Sequence, residues 1–204
     1  VYLALIGFIG IPLPYLLAMF RRWEEKGQWV YENISTADRG GLYVGMEEYS
    51  AFHDHEDVLA NVIYLVKQRS PDLTGYMEQN IVELEEYSVL GYLGSYIDAL
   101  ELDTEDMVWL IDEFRRWGRY TTVVFDMGQA VLKDLAILGA FDEIMVPELK
   151  DELSQDKLGM FERVLERREL GKIARRLHRL NVPLAVPGSA EMLRFIESEI
   201  GSRR

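Results

Sequence analysis

The sequence contains no cysteine. That excludes disulfides, thiolate metal sites and cysteine nucleophiles, and it fits a reducing compartment. Positive charge is scarce as well: 22 Lys and Arg face 35 Asp and Glu, a formal net charge of −13. A chain of that charge repels a phosphate backbone on average, so general nucleic-acid binding is not its expected role. Long uncharged runs are lacking too, with one exception. The opening stretch VYLALIGFIGIPLPYLLAMF carries no charge and is followed by Arg21 and Arg22. A run of ~20 apolar residues before arginines suits a membrane helix. Pro12 and Pro14 interrupt that helix at its middle. The favoured reading is therefore a buried strand over Tyr2–Phe8, a glycine–proline loop, and a helix starting at Pro14.

What is present is an ordinary globular balance, 49% hydrophobic and 28% charged. Such a balance excludes wholesale disorder. At 204 residues one sizeable core is expected, so the chain is read as a single domain over 1–204. It begins with Val1, as expected of a piece of a longer gene product.

Apolar spacing locates the elements. DTEDMVWLIDEFRRWG puts Met107, Val108, Leu110, Ile111, Phe114 and Trp117 on one helical face, with Asp103 or Thr104 as cap and Gly118 as stop. TTVVFD follows as a strand. QAVLKDLAILGA reads as a helix with Val131, Leu132, Leu135 and Leu138 inward, and EIMVPEL as a second strand. Both strands are apolar without alternation, the mark of a parallel sheet covered on both faces. Further on, Ser154 is expected to cap a helix, GKIARRLHRL reads as a basic helix, VPLAVPG as a short strand, and Ser189 as the cap of a last helix. Earlier, GLYVGMEEYS reads as a strand. HEDVLANVIYLVKQ is a helix with Val58, Val62, Ile63 and Val66 buried, and a helix near Leu73 to Asn80 precedes a strand near Val89 to Leu93. Alternating strands and helices predict an α/β fold with a doubly wound, mainly parallel sheet and helices on both faces.

In such a sheet ligands bind at the carboxyl ends of strands. Three strand ends carry suitable groups: Glu47 and Glu48, Asp126, and the stretch with Pro147, Glu148 and Asp151. A carboxylate there can hold magnesium, a hard cation that prefers oxygen. Gly128, two residues beyond Asp126, lets the backbone turn close to a phosphate.

GLYVGMEEYSAF, VLANVIYLVKQRSPDL, TTVVFDMG and DEIMVPELKDELSQDKLGMFE occur in that order between about residues 40 and 166. Together they resemble the ParA/MinD-like (SIMIBI-class) P-loop ATPases, in particular the TadZ/CpaE-like branch associated with pilus assembly and the cell pole. The resemblance implies a P-loop NTPase-like sheet, ATP and magnesium as cofactors, and ATP-linked homodimerisation. It further implies protein partners in a pilus or secretion assembly, and a cytoplasmic place at the membrane or cell pole. On it Asp126 matches the Walker-B-type aspartate that orders magnesium, and Gly128 the turn that senses the γ-phosphate. Glu47 and Glu48 match acidic positions after the second strand, and Pro147, Glu148 and Asp151 lie in the segment passing near the base.

One feature of that family is missing. The chain has no G-K-S or G-K-T; where the loop belongs it reads GFIGIPLPYLLA, keeping Gly7 and Gly10 but no lysine. Two prolines also remove N–H donors where phosphate needs them. The Walker A is thus degenerate or absent, and losing its charge weakens the stabilisation of phosphoryl transfer. Two functional alternatives remain for this family reading, a nucleotide-regulated factor and a pseudo-ATPase scaffold. A third reading, from another class, is a Rossmann-like or receiver-like module that binds a partner protein without catalysis.

Two further clusters carry charge. FHDHEDV gathers His53, His55 and three acids, but the acids suit a helix start better than a metal site. ERVLERRELGKIARRLHRL holds seven Lys or Arg against three Glu. It reads first as a solvated face with pairs such as Glu162–Arg163 and Glu169–Lys172, and second as a patch for DNA or anionic lipid.

Overall fold

The computed structural model describes residues 2–7, 41–46, 58–83, 87–91, 96–128, 134–149, 151–182 and 194. The strands are β1 (Tyr2–Gly7), β2 (Gly41–Gly45), β3 (Ile81–Glu83), β4 (Tyr87–Leu90), β5 (Thr122–Gly128), β6 (Glu143–Leu149) and β7 (Leu177–Val182). The helices are α1 (Val58–Lys67), α2 (Leu73–Asn80), α3 (Tyr96–Ala99), α4 (Thr104–Trp117), α5 (Glu152–Arg167) and α6 (Gly171–Ala174), with a 3₁₀ turn at Leu135–Ala140. The strands form one sheet of order β3-β4-β2-β5-β1-β6-β7. β3 runs antiparallel to β4, and the remaining pairs are parallel. The expected mainly parallel α/β sheet is therefore the observed one, with an antiparallel strand at one edge.

Tyr2–Gly7, which suit either a membrane helix or a buried strand by sequence, form β1 between β5 and β6. The strand reading holds for those residues. Among the described residues no helix is long and apolar enough to cross a membrane. Phe8, the glycine–proline loop and the helix expected from Pro14, together with Glu47, Glu48 and the His53–His55 cluster, lie outside the described residues. Of the strand expected over 182–188 only Val182 is described, as the last residue of β7, and the Ser189 cap lies outside the described residues.

The sheet forms because its strands present buried apolar rows. Side chains alternate across β5, so Val123, Phe125 and Met127 share one face and Val124 and Asp126 the other. Phe125 is fully buried and meets Phe114 of α4 at 6.0 Å and Phe141 at 5.3 Å, both edge-on. Edge-to-face contact is a favoured arrangement for such rings. α4 lies over this face through Met107, Leu110, Ile111 and Phe114. Val108, expected inward, is 43% exposed; it sits one step around the helix from the stripe its neighbours form. Asp103 caps α4 by accepting from the Asp106 N–H, while Asp106 accepts from the Asp103 N–H, a reciprocal capping box. Gly118 closes the helix in the left-handed region at φ 62°. Glycine adopts that conformation without the strain a Cβ brings.

Three local expectations differ from the structure. α5 is capped by Asp151, not Ser154: the Asp151 carboxylate accepts from the Ser154 N–H at 2.9 Å and from its hydroxyl at 2.5 Å. Aspartate suits this position because it also faces the positive helix end. The basic segment GKIARRLHRL is not one helix. Glu169 turns the chain left-handed at φ 62°, and the Leu170 N–H bonds back to Leu165, ending α5. After the single turn of α6 the chain becomes β7, paired with β6 over six residues. The edge of β6 needs hydrogen-bond partners, and this outweighs the helical preference of the Arg-rich segment. Of the helix expected over 129–140, residues 129–133 with Val131 and Leu132 lie outside the described residues, and Leu135–Ala140 form a 3₁₀ turn capped by Asp134, with Ile137 and Leu138 inward.

Candidate functional site

The sheet order brings the candidates to one place. From β1 the chain travels to one side of the sheet, through β2, β3 and β4. It returns as β5 beside β1, then crosses to the other side as β6. The direction of progress reverses at β1 and β5, and the crevice outside the carboxyl ends of such strands is where open α/β sheets take ligands.

Asp126 sits at that point. It pairs with Leu5 of β1 on one side and with Gly45 of β2 on the other. Two residues further on, Gly7 and Gly128 are partners across β1 and β5. Two chains therefore end side by side without a Cβ, which lets a phosphate approach the backbone closely. The structure thus joins three of the expected residues, Gly7, Asp126 and Gly128. Gly10, Glu47 and Glu48 lie outside the described residues.

Asp126 is 1% exposed. A carboxylate so buried requires donors. One comes from Tyr43 of β2, whose hydroxyl donates to Asp126 Oδ2 at 2.6 Å. Tyr43 pairs in register with Val124, so its ring lies on the Asp126 face of the sheet, two residues back along β2. Gly45 opposite Asp126 leaves room for that ring: a Cβ there would stand 3.1 Å from Tyr43 Cε1. The Met46 N–H donates to the Asp126 carbonyl at 2.9 Å, extending the β2–β5 ladder to the residue before Glu47. Sequence reasoning misses Tyr43. Its signal is a phenol in the otherwise apolar, fully buried strand GLYVG, since a buried tyrosine hydroxyl normally has a partner.

The β6 candidates have other partners. Pro147 and Glu148 are buried and pair with Leu180 and Asn181 of β7. The Glu148 carboxylate lies 3.8 Å from the Arg179 guanidinium, and Arg179 makes a two-pronged contact with Glu162 of α5 at 3.1 and 2.6 Å. The Glu162 contact raises the Arg179 pKa above its usual range. Glu148 is thereby part of the joint between β6, β7 and α5. Asp151 is accounted for by its cap, and the Ser154 hydroxyl and N–H hold its carboxyl below the usual carboxylate value.

Among the described residues, no group of three or more His, Cys, Asp or Glu is placed to hold a metal ion. The magnesium that the resemblance implies does not require one, because it keeps several waters and takes one or two carboxylates beside phosphate oxygens. A single buried carboxylate beside two paired glycines fits that chemistry.

The basic segment differs in detail from its expected pairing. Glu162 contacts Arg179, not Arg163, because β7 carries Arg179 alongside α5. Among the described residues, Arg163, Arg167, Arg168, Lys172 and Arg175 make no ion pair and are exposed.

No protein-family model matches the sequence, and no curated protein matches it either. Solved structures do resemble it. A ParA family ATPase from Chlorobium tepidum superposes with TM-score 0.61 at 14% identity, over 98% of this chain and 80% of that one. The MinC:MinD cell division protein complex from Aquifex aeolicus gives 0.55 at 13% identity, over 98% and 78%. Cobyrinic acid a,c-diamide synthase from Mycobacterium smegmatis gives 0.56 at 15% identity, over 100% and 81%. The chain accordingly shares the fold of the ParA and MinD ATPases.

Proposed function

We propose that this protein is a ParA/MinD-like, TadZ-like localisation or assembly factor that binds ATP with magnesium and hydrolyses it slowly or not at all. The observation that carries the reading is Asp126. It is a buried carboxylate at the carboxyl end of β5, next to the paired Gly7 and Gly128 at the reversal point of the sheet. In this reading Asp126 orients magnesium through its carboxylate, and the main chain at Gly7 and Gly128 makes room for the terminal phosphate. Magnesium held there would supply positive charge against the phosphate oxygens. The missing lysine accounts for slow turnover, because the charge developing on the transferred phosphoryl group loses a fixed counter-charge. The TadZ-like assignment rests on the order and spacing of the four sequence segments, and it carries the homodimer, the pilus or secretion partners and the polar location with it. The exposed cations of α5 and α6 offer a lesser partner surface for DNA or anionic lipid.

Sedimentation velocity and phosphate release test this reading together. Adding ATP and magnesium is expected to shift the protein from monomer towards dimer, with phosphate release at the level of the protein-free control. A sedimentation coefficient unchanged by nucleotide would contradict the switch. Rapid phosphate release would contradict the slow or absent turnover.

A further inference from the structure

We propose that Tyr43 is a positioning residue for the magnesium site: its hydroxyl fixes the rotation of the Asp126 carboxylate and so sets how well the site takes the metal. The inference rests on the nucleotide reading of Asp126 and concerns a residue which that reading does not require.

The geometry is specific. The terminal torsion of an aspartate is broad, so a hydrogen bond to one oxygen narrows the rotation of its carboxylate. Here Oδ2 is held by a phenol at 2.6 Å, and both side chains are buried, Tyr43 at 5% and Asp126 at 1% exposed. The phenol comes from the neighbouring strand, so the bond also ties the direction of the carboxylate to the β2–β5 register. Gly45 is part of the device, since any side chain there would press on the Tyr43 ring. Carboxylates that serve metals are commonly held by such outer hydrogen bonds, and loss of one typically lowers metal affinity by about 10- to 100-fold.

Tyr43→Phe removes the hydroxyl and keeps the ring. The measured quantity is the ratio of ATP affinity with magnesium to ATP affinity without it, by calorimetry. For Tyr43→Phe this ratio is expected to fall by about tenfold or more, with metal-free ATP affinity unchanged. Gly45→Ala is the second variant. It keeps the hydroxyl but displaces the ring, and it is expected to lower the same ratio. A loss confined to packing would weaken ATP binding equally with and without metal, and that result would overturn the proposal. An unchanged ratio in both variants would also overturn it while leaving the nucleotide reading intact. Absence of any magnesium dependence in the unaltered protein would overturn both.

Discussion

Asp106→Ala is expected to lower the unfolding free energy by about 2–4 kcal/mol, measured by urea denaturation. Asp106 is 3% exposed and lies where α1 and α4 meet. Lys67 Nζ reaches its Oδ2 at 2.7 Å, and the Arg69 guanidinium its Oδ1 at 2.7 Å. The same carboxylate accepts from the Asp103 N–H in the capping box. Arg69 also occupies the left-handed position that ends α1, at φ 49°. Glycine is the easier residue there, and the conformation costs about 1–2 kcal/mol for a residue with a Cβ. The ion pair with Asp106 and the stacking over Trp109 at 5.1 Å offset that cost. Removing the carboxylate leaves two cations at the helix junction without their shared partner. Their side chains are 35% and 38% exposed. Water therefore relieves part of the loss, and the cost is lower than for a fully buried pair. Asp106→Asn keeps an acceptor and is expected to cost less. A change within about 0.5 kcal/mol for Asp106→Ala would show that the junction does not depend on this carboxylate.

The same cluster sets the sign of a pH dependence. Burial pushes the Asp106 pKa up, but the hydrogen bonds from Lys67, the Asp103 N–H and Arg69 together outweigh it, and the net shift is downward from 3.8. A depressed carboxylate stabilises the fold above its unfolded value and ceases to do so as pH falls through its lower folded value. Lys67 is raised from 10.5, chiefly by its hydrogen bond to Asp106. Its contribution is complete below 10.5 and is lost as pH rises through the higher folded value. In Asp106→Ala both dependences should flatten.

Gly91→Ala should destabilise the protein by about 2–4 kcal/mol through two effects that add. Gly91 follows β4 with φ +38°, a conformation strained for any residue with a Cβ. That Cβ would also stand 2.7 Å from the Cβ of Val58 at the start of α1. Val58 is buried and β-branched, so it has little freedom to move aside. Because the nearest atom is the Val58 Cβ itself, the double variant with Val58→Ala is not expected to recover the loss. Full recovery in thermal melts would mean that the crowding arises from the Val58 methyls and not from the backbone approach.

How much of the molecule is legible in the sequence depends on whether the determinants are local. β5, β6, α1 and α4 can be read because each has an apolar pattern or a local stop signal such as Ser70–Pro71 or Gly118. β7 cannot, because Ala174–Leu180 has helical composition and becomes a strand only by pairing with β6. The cap of α5 falls three residues from its expected place because both Asp151 and Ser154 have capping side chains, and only the fold shows which accepts from the other. The site divides in the same way. Asp126 and Gly128 stand out as a strand end followed by glycine. Tyr43 lies 83 positions away in sequence, and no local pattern indicates that its hydroxyl meets Asp126. Glu148 reads as a site residue from its position at a strand end, whereas its orientation towards Arg179 depends on β7, which has the composition of a helix.

The most direct test is calorimetric titration of ATP into the unaltered protein and into Asp126→Asn, each with and without magnesium. Heat that increases with magnesium is expected from the unaltered protein, and loss of the magnesium dependence is expected in Asp126→Asn. No heat from the unaltered protein at millimolar ATP, or the same magnesium dependence in both proteins, would contradict the nucleotide reading of Asp126.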